Sequence, residues 1–180
     1  MQKIITIYDQ FVALIDRIAG AWLLPTLARF SFAAVLLIYF WNSAKTKIGD
    51  GIFGFLSPSD TAYIQIFPKA FEAAGYDSAG LNTFHWLVAV AGTTAEFILP
   101  LLILVGLFTR LAALGMIGFI FVQSIVDITG HGVGGSDLGA WFDGAPDALI
   151  LDQRLLWVSI LIILVVKGAG VISVDRLLRR

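Results

Sequence analysis

The 180-residue chain contains no cysteine at all. That absence excludes thiol relays, disulfide frameworks, iron–sulfur clusters and haem attached through C-x-x-C-H. Charge is also scarce, with only 14% Asp, Glu, Lys and Arg against roughly 25% in soluble domains. The basic residues are scattered, with no aromatic-lined groove between them, so nucleic acid is not an expected partner. The two histidines belong to no E-x-x-H pattern, and "GHGVGGSD" follows no strand and opens no clear helix. Metal, haem and nucleotide sites are therefore not expected. The N-terminal stretch lacks an A-x-A-like site after a short apolar core, and no internal repeat or low-complexity tail is found.

Apolar residues are what the chain has in excess: 58% of the total, with mean hydropathy +0.88. This is the composition of a bilayer protein. A hydrocarbon core of about 30 Å needs about 20 apolar residues in a helix. Spans are predicted at about 27–43, 84–107, 110–129 and 150–168, the last being strictly apolar only over 155–166. The predicted architecture is all-α, a single transmembrane domain forming a four-transmembrane-helix bundle. Ahead of it, Ile4, Tyr8, Phe11, Ile15, Ile18 and Trp22 follow helical spacing opposite Lys3, Asp9, Gln10, Asp16 and Arg17. Residues 1–24 thus read as an interfacial amphipathic helix, the alternative being a helix packed on a partner. Pro25 is expected to separate it from the first span.

Cytoplasmic flanks carry the excess of Lys and Arg. A four-span chain puts Lys3, Arg17, Arg29, Arg110, Lys167, Arg176, Arg179 and Arg180 on one side, against Lys45, Lys47, Lys69 and Arg154 on the other. Both termini are predicted cytoplasmic, with a basic tail at 171–180. The outer loops, about 43–83 and 130–153, hold Asp50, Asp60, Glu72, Asp77, Asp137, Asp143, Asp147 and Asp152.

One acid stands apart. Glu96 in "GTTAEFILPLL" lies about 12 residues, or roughly 18 Å, into the second span. Ionised in lipid it would be expensive, so it must face the bundle, pair, or stay protonated. His85, Ala89, Gly92 and Glu96 share one helical stripe, and Gln123, Asp127 and His131 form a second in the third span. With Lys45 and Lys47 ending the first span and Asp152 and Arg154 opening the fourth, these residues outline a polar funnel opening outward above Glu96. Gln123 is the expected partner at Glu96's depth. For Asp127 and Gln123 a structural interhelix hydrogen bond is an equal alternative. Asp152 and Arg154 have the alternative of capping and snorkelling, and the histidines that of simple interfacial hydrogen bonding.

Lys45, Glu96, "LVGLFTRLAAL", "DQRLLW" and "KGAGVISVDRLL" together resemble the DoxX family, over roughly 27–178. The matching positions are Lys45, Glu96, Arg110, Asp152, Arg154, Gly168, Gly170, Ser173 and Asp175. Where many relatives have "GPG", this chain has Gly168-Ala169-Gly170. The resemblance implies a small four-helix protein of the bacterial inner membrane, or its archaeal counterpart, in a quinone-linked redox neighbourhood; it leaves the cofactor open, with quinone as the candidate. Its implied partners are the bilayer and either oxidoreductase subunits or further copies of itself. Independently of the family, Gly168 and Gly170 can end the fourth helix at positive φ while Ser173 caps a short basic helix.

Two function classes follow. One is an accessory, non-catalytic subunit of an oxidoreductase or oxidative-stress complex, with Glu96 as proton or quinone-oxygen partner and Lys45 and Arg154 stabilising negative charge. The other is a small proton-coupled carrier built on Glu96. An enzyme acting alone ranks third, because no nucleophile–base pair can be placed.

Overall fold

The computed structural model describes residues 1–178; Arg179 and Arg180 of the predicted basic tail lie outside the described residues. Helix α1 (Gln2–Ile15), continued by a π turn at Asp16–Gly20, precedes α2 (Leu23–Lys47). The first loop holds α3 (Asp60–Ile66) and α4 (Pro68–Ala73). Then come α5 (Thr83–Val105), α6 (Thr109–Gly130), a single turn α7 (Gly135–Leu138), α8 (Leu151–Lys167) and α9 (Val174–Leu178).

Among the described residues three helices, α2, α5 and α6, are long and apolar enough to cross a membrane. The predicted fourth span, α8, has 17 residues, about 26 Å at 1.5 Å per residue. It is shorter than the predicted 150–168 because it starts only at Leu151 and Gly168 ends it at φ 78°. The four helices nevertheless pack in a closed ring, α2 against α5, α5 against α6, α6 against α8, and α8 against α2. Phe32, Leu36 and Phe40 of α2, Ile103 of α5, Ala112, Ala113, Met116 and Ile120 of α6, and Leu161 and Leu164 of α8 share the core. Small α6 residues let its neighbours approach closely, the source of helix affinity where lipid is as apolar as leucine.

Local chemistry sets the ends. Asn82 accepts from the Phe84 and His85 N–H groups, and the His85 ring accepts from the Asn82 N–H, a reciprocal cap that starts α5. Gly106 at φ 72° ends α5. A Cβ there would lie 2.6 Å from the Ser173 Cβ, so only glycine fits. Pro25 falls within the first turn of α2, where its missing N–H is harmless; the chain breaks just before it, at Ala21 and Trp22. No residue of α1 is buried.

The first loop is a folded cap. α5 runs on past the end of α2, and its N-terminal half is covered by α3 and α4: Ala89 is buried with Ala62, Tyr63 and Phe71. Ile66 also packs at Gly92, whose added Cβ would meet its Cδ1 at 3.6 Å. The small-residue stripe of α5 is thus filled from within the chain. Burial holds the Tyr63 phenol above its ordinary pKa, and the nearby Asp60 carboxylate pushes it the same way.

Candidate functional site

Glu96 is buried, 4% exposed, and its partner is Lys47. The Lys47 Nζ lies 3.0 and 2.9 Å from the two carboxylate oxygens and donates to Ser43 Oγ at 2.6 Å. Ser43 Oγ in turn donates to Glu96 Oε1 at 3.3 Å. Lys47 is itself only 4% exposed. The expected pairing with Gln123 is corrected: Gln123 Nε2 donates to the Tyr39 hydroxyl at 3.1 Å. Lys45, two residues away from the lysine used, is exposed. A two-residue step turns a helical side chain by about 200°, so only one of the two lysines can face α5.

Arg154, also buried, pairs with Asp127 and donates through Nη1 to Ser124 Oγ at 2.8 Å. Asp127 sits in a π turn, Val126–Gly130, that closes α6; such turns recur where a helix must re-aim a side chain. Asp152 does not join Arg154. Its Oδ2 accepts from the Ala148 N–H at 3.1 Å, a bond back to the loop just before α8. His85 is absorbed in the α5 cap and meets the Phe67 ring edge-on at 4.7 Å. The His131 Nε2 lies 3.1 Å from the Gln65 carbonyl.

A cleft of about 380 Å³ connects these groups. Lys47, Glu96, Gln123, Asp127 and His131 line its polar part, and Gly92, Ala95, Leu99, Gly115, Gly118 and Val122 its apolar part. Of the residues of the predicted funnel, Lys47, Glu96, Gln123, Asp127 and His131 line this cleft, whereas Lys45, His85, Asp152 and Arg154 do not. Gln65 and Ile66 of α3 line it as well, and the lining residues Ala91, Gly115, Gly118 and Val122 are exposed between α5 and α6. A Cβ at Gly118 would meet nothing within 4 Å. The Gln123 Oε1 is buried with no hydrogen-bond partner.

The opposite end of the bundle is tied by Arg29 and Asp175, whose roles no local pattern announces, together with the glycines and the Ser173 cap read from the sequence. Arg29 donates from Nε to the Ile103 carbonyl at 3.0 Å, and its other nitrogens reach the carbonyls of Leu104, Ala169 and Ile172. Asp175 accepts from the Phe108 and Thr109 N–H groups at 2.8 and 3.0 Å, capping α6 from near the chain's end. Ser173 Oγ accepts from the Arg176 N–H, capping α9. Glycines at 168 and 170 take φ 78° and 77° without a proline between them.

A chain whose described residues form helices and no strand, with three bilayer-length apolar helices among them, an ion pair buried between two of these and a cleft beside it, is a small integral membrane protein. The DoxX family model matches residues 24–131, more than half of the chain, and the chain belongs to the DoxX family. The matched stretch contains Lys47, Glu96, Gln123 and Asp127, whereas Arg154 and the C-terminal glycines lie beyond it. No curated protein and no solved structure matches the chain.

Proposed function

We propose that this protein is a non-catalytic subunit of a quinone-linked membrane oxidoreductase, and that the cleft between α5 and α6 holds the ring of a quinone. The observation that carries the reading is the shape of the cleft. It is apolar and open sideways among small residues, and it is polar where Lys47, Glu96, Gln123 and Asp127 meet. Its volume lies in the range of small-molecule sites, roughly 300–1,000 Å³. An amphiphile dissolved in the bilayer can enter such a cleft without crossing water. The unpartnered Gln123 Oε1 accepts from a hydroxyl, and an amide flip presents the NH₂ as donor to a carbonyl, so this one side chain suits both redox forms of a quinone. Glu96, held by Lys47 and Ser43, is positioned to exchange a proton with a group in the cleft. A quinone supplies two-electron redox chemistry when bound; the chain supplies position, polarity and a route for the proton.

In this reading α8 is the fourth span and α1 lies in the membrane interface with its uncovered apolar face in lipid. Both termini are cytoplasmic and the membrane is the bacterial inner membrane. α5 passes Pro100 without a break, which favours a fixed binding site over a carrier built on discontinuous helices.

The test uses the full chain in lipid nanodiscs with decylubiquinone, a short-tailed quinone, and native mass spectrometry to read the bound ligand. Wild type should retain it, while Glu96→Gln and Gly118→Leu should lose it and remain folded, the latter by filling the open space beside Gly118. Equal retention by all three proteins would overturn the proposal.

A further inference from the structure

We infer that the end of the bundle away from Gln65 and His131 carries a second site, one for a phosphate-type oxyanion, built by Arg110, Lys167 and Arg176 around the Gly168–Val171 turn. A separate cavity of about 240 Å³ lies there. Its charged lining consists of those three cations and one acid, Asp175, with Ser173 and Ala21 completing the wall. The acid is engaged elsewhere, since both its carboxylate oxygens accept from the N–H groups that open α6. Arg29, just behind, is likewise committed to backbone carbonyls. The three lining cations are exposed. Arg110 uses Nη2 on the Val166 carbonyl at 3.2 Å. Lys167 and Arg176 have no side-chain hydrogen bond or carboxylate partner among the described residues.

The carbonyls ending α8 account for part of this positive charge, because a cation in the last turn complements the helix dipole. That role needs a single cation, and Arg110 already fills it on Val166. What is left is an excess of two positive side chains facing one concavity.

The backbone keeps the concavity open. Gly168 sits under the Arg110 guanidinium, where an added Cβ would lie 3.3 Å from Nε. Gly170 is pressed against Pro25, with a Cβ position 3.1 Å from its Cγ. Bulkier residues here would displace Arg110 or the start of α2. A tetrahedral oxyanion suits such a site, because its oxygens can accept from an ammonium and two guanidiniums together. The ligand is the phosphate of a lipid headgroup or a free phosphate of the same chemistry, and this reading does not depend on the cleft.

The full chain in detergent micelles would be titrated with short-chain phosphatidylglycerol, with short-chain phosphatidylcholine, and with inorganic phosphate, reading the unfolding midpoint. At about fivefold per basic side chain, Lys167→Gln with Arg176→Gln should weaken binding about 30-fold. Without ligand that double variant should melt like wild type. Lys167→Arg with Arg176→Lys should retain binding. Saturation by phosphatidylglycerol alone would identify a lipid headgroup, and saturation by inorganic phosphate as well would identify a soluble phosphate. The inference is overturned if none of the three ligands raises the midpoint, if the neutral double variant binds as tightly as wild type, or if phosphatidylcholine binds equally to both proteins.

Discussion

Replacing Lys47 by methionine removes the cation facing Glu96 while keeping most of the side-chain volume. At 2.9 Å and an effective dielectric of about 20, the Coulomb attraction is about 6 kcal/mol, against a desolvation penalty of several kcal/mol for each ion. The net worth of the pair is therefore small, and the large effect comes from breaking it. An uncompensated buried charge costs about 3–5 kcal/mol. The Ser43 hydroxyl, which already donates to Glu96 at 3.3 Å, is too weak a substitute. Lys47→Met should thus lose about 3–5 kcal/mol. Glu96→Gln should lose a similar amount, because it leaves the ammonium buried. The double variant should recover most of the loss, since two neutral groups of similar size occupy the same space. The assay is denaturant unfolding in detergent micelles for all four proteins of the cycle, giving a coupling energy. Side-chain hydrogen bonds between membrane helices average about 0.6 kcal/mol and reach about 1.7, so a coupling above about 2 marks a true buried ion pair. If the single losses simply added, the reasoning would fail.

Gly106→Ala should destabilise by more than about 2 kcal/mol, combining left-handed backbone strain with contact against Ser173. Thermal unfolding checks it, and a near-neutral result would mean the C-terminal segment does not sit against the α5–α6 turn. Asp152→Ala should cost only about 1 kcal/mol, the value of one hydrogen bond to the backbone, with quinone retention unchanged; lost retention at unchanged stability would instead give Asp152 a place in the cleft. The Tyr63 phenol, raised above its ordinary pKa by burial and then by Asp60, binds its proton more tightly folded than unfolded. Its contribution is therefore fully present below about pH 10 and is lost as pH rises through the folded value. Amide exchange across 60–73 should speed up in that alkaline window for wild type and much less for Tyr63→Phe; identical profiles would refute the burial argument.

The membrane character of the chain was decided by composition and by runs of apolar residues, because the length needed to cross a bilayer is read directly from sequence. Glu96 was conspicuous for the same reason, being the acid nearest the middle of such a run. Its partner was not legible. Lys45 and Lys47 end the same helix two residues apart, and which one turns inward depends on the phase of α2, which the π turn at Ala33–Leu37 alters. A local pattern likewise cannot show that Arg154 reaches across to Asp127 while its near neighbour Asp152 turns back to the Ala148 N–H of the preceding loop. Arg29 looked like any basic residue at a span end, yet packing makes it the tie for four carbonyls on two separate segments. The first loop's share in the site was not legible either: α3 and α4 fold back over the N-terminal half of α5, and Gln65 and Ile66 line the cleft. Hydrophobic periodicity carries the cost of leaving water, which each residue meets on its own. Pairing between ionisable groups far apart in the chain depends on helix phase, register and the reach of each side chain, and those exist only once the helices have packed.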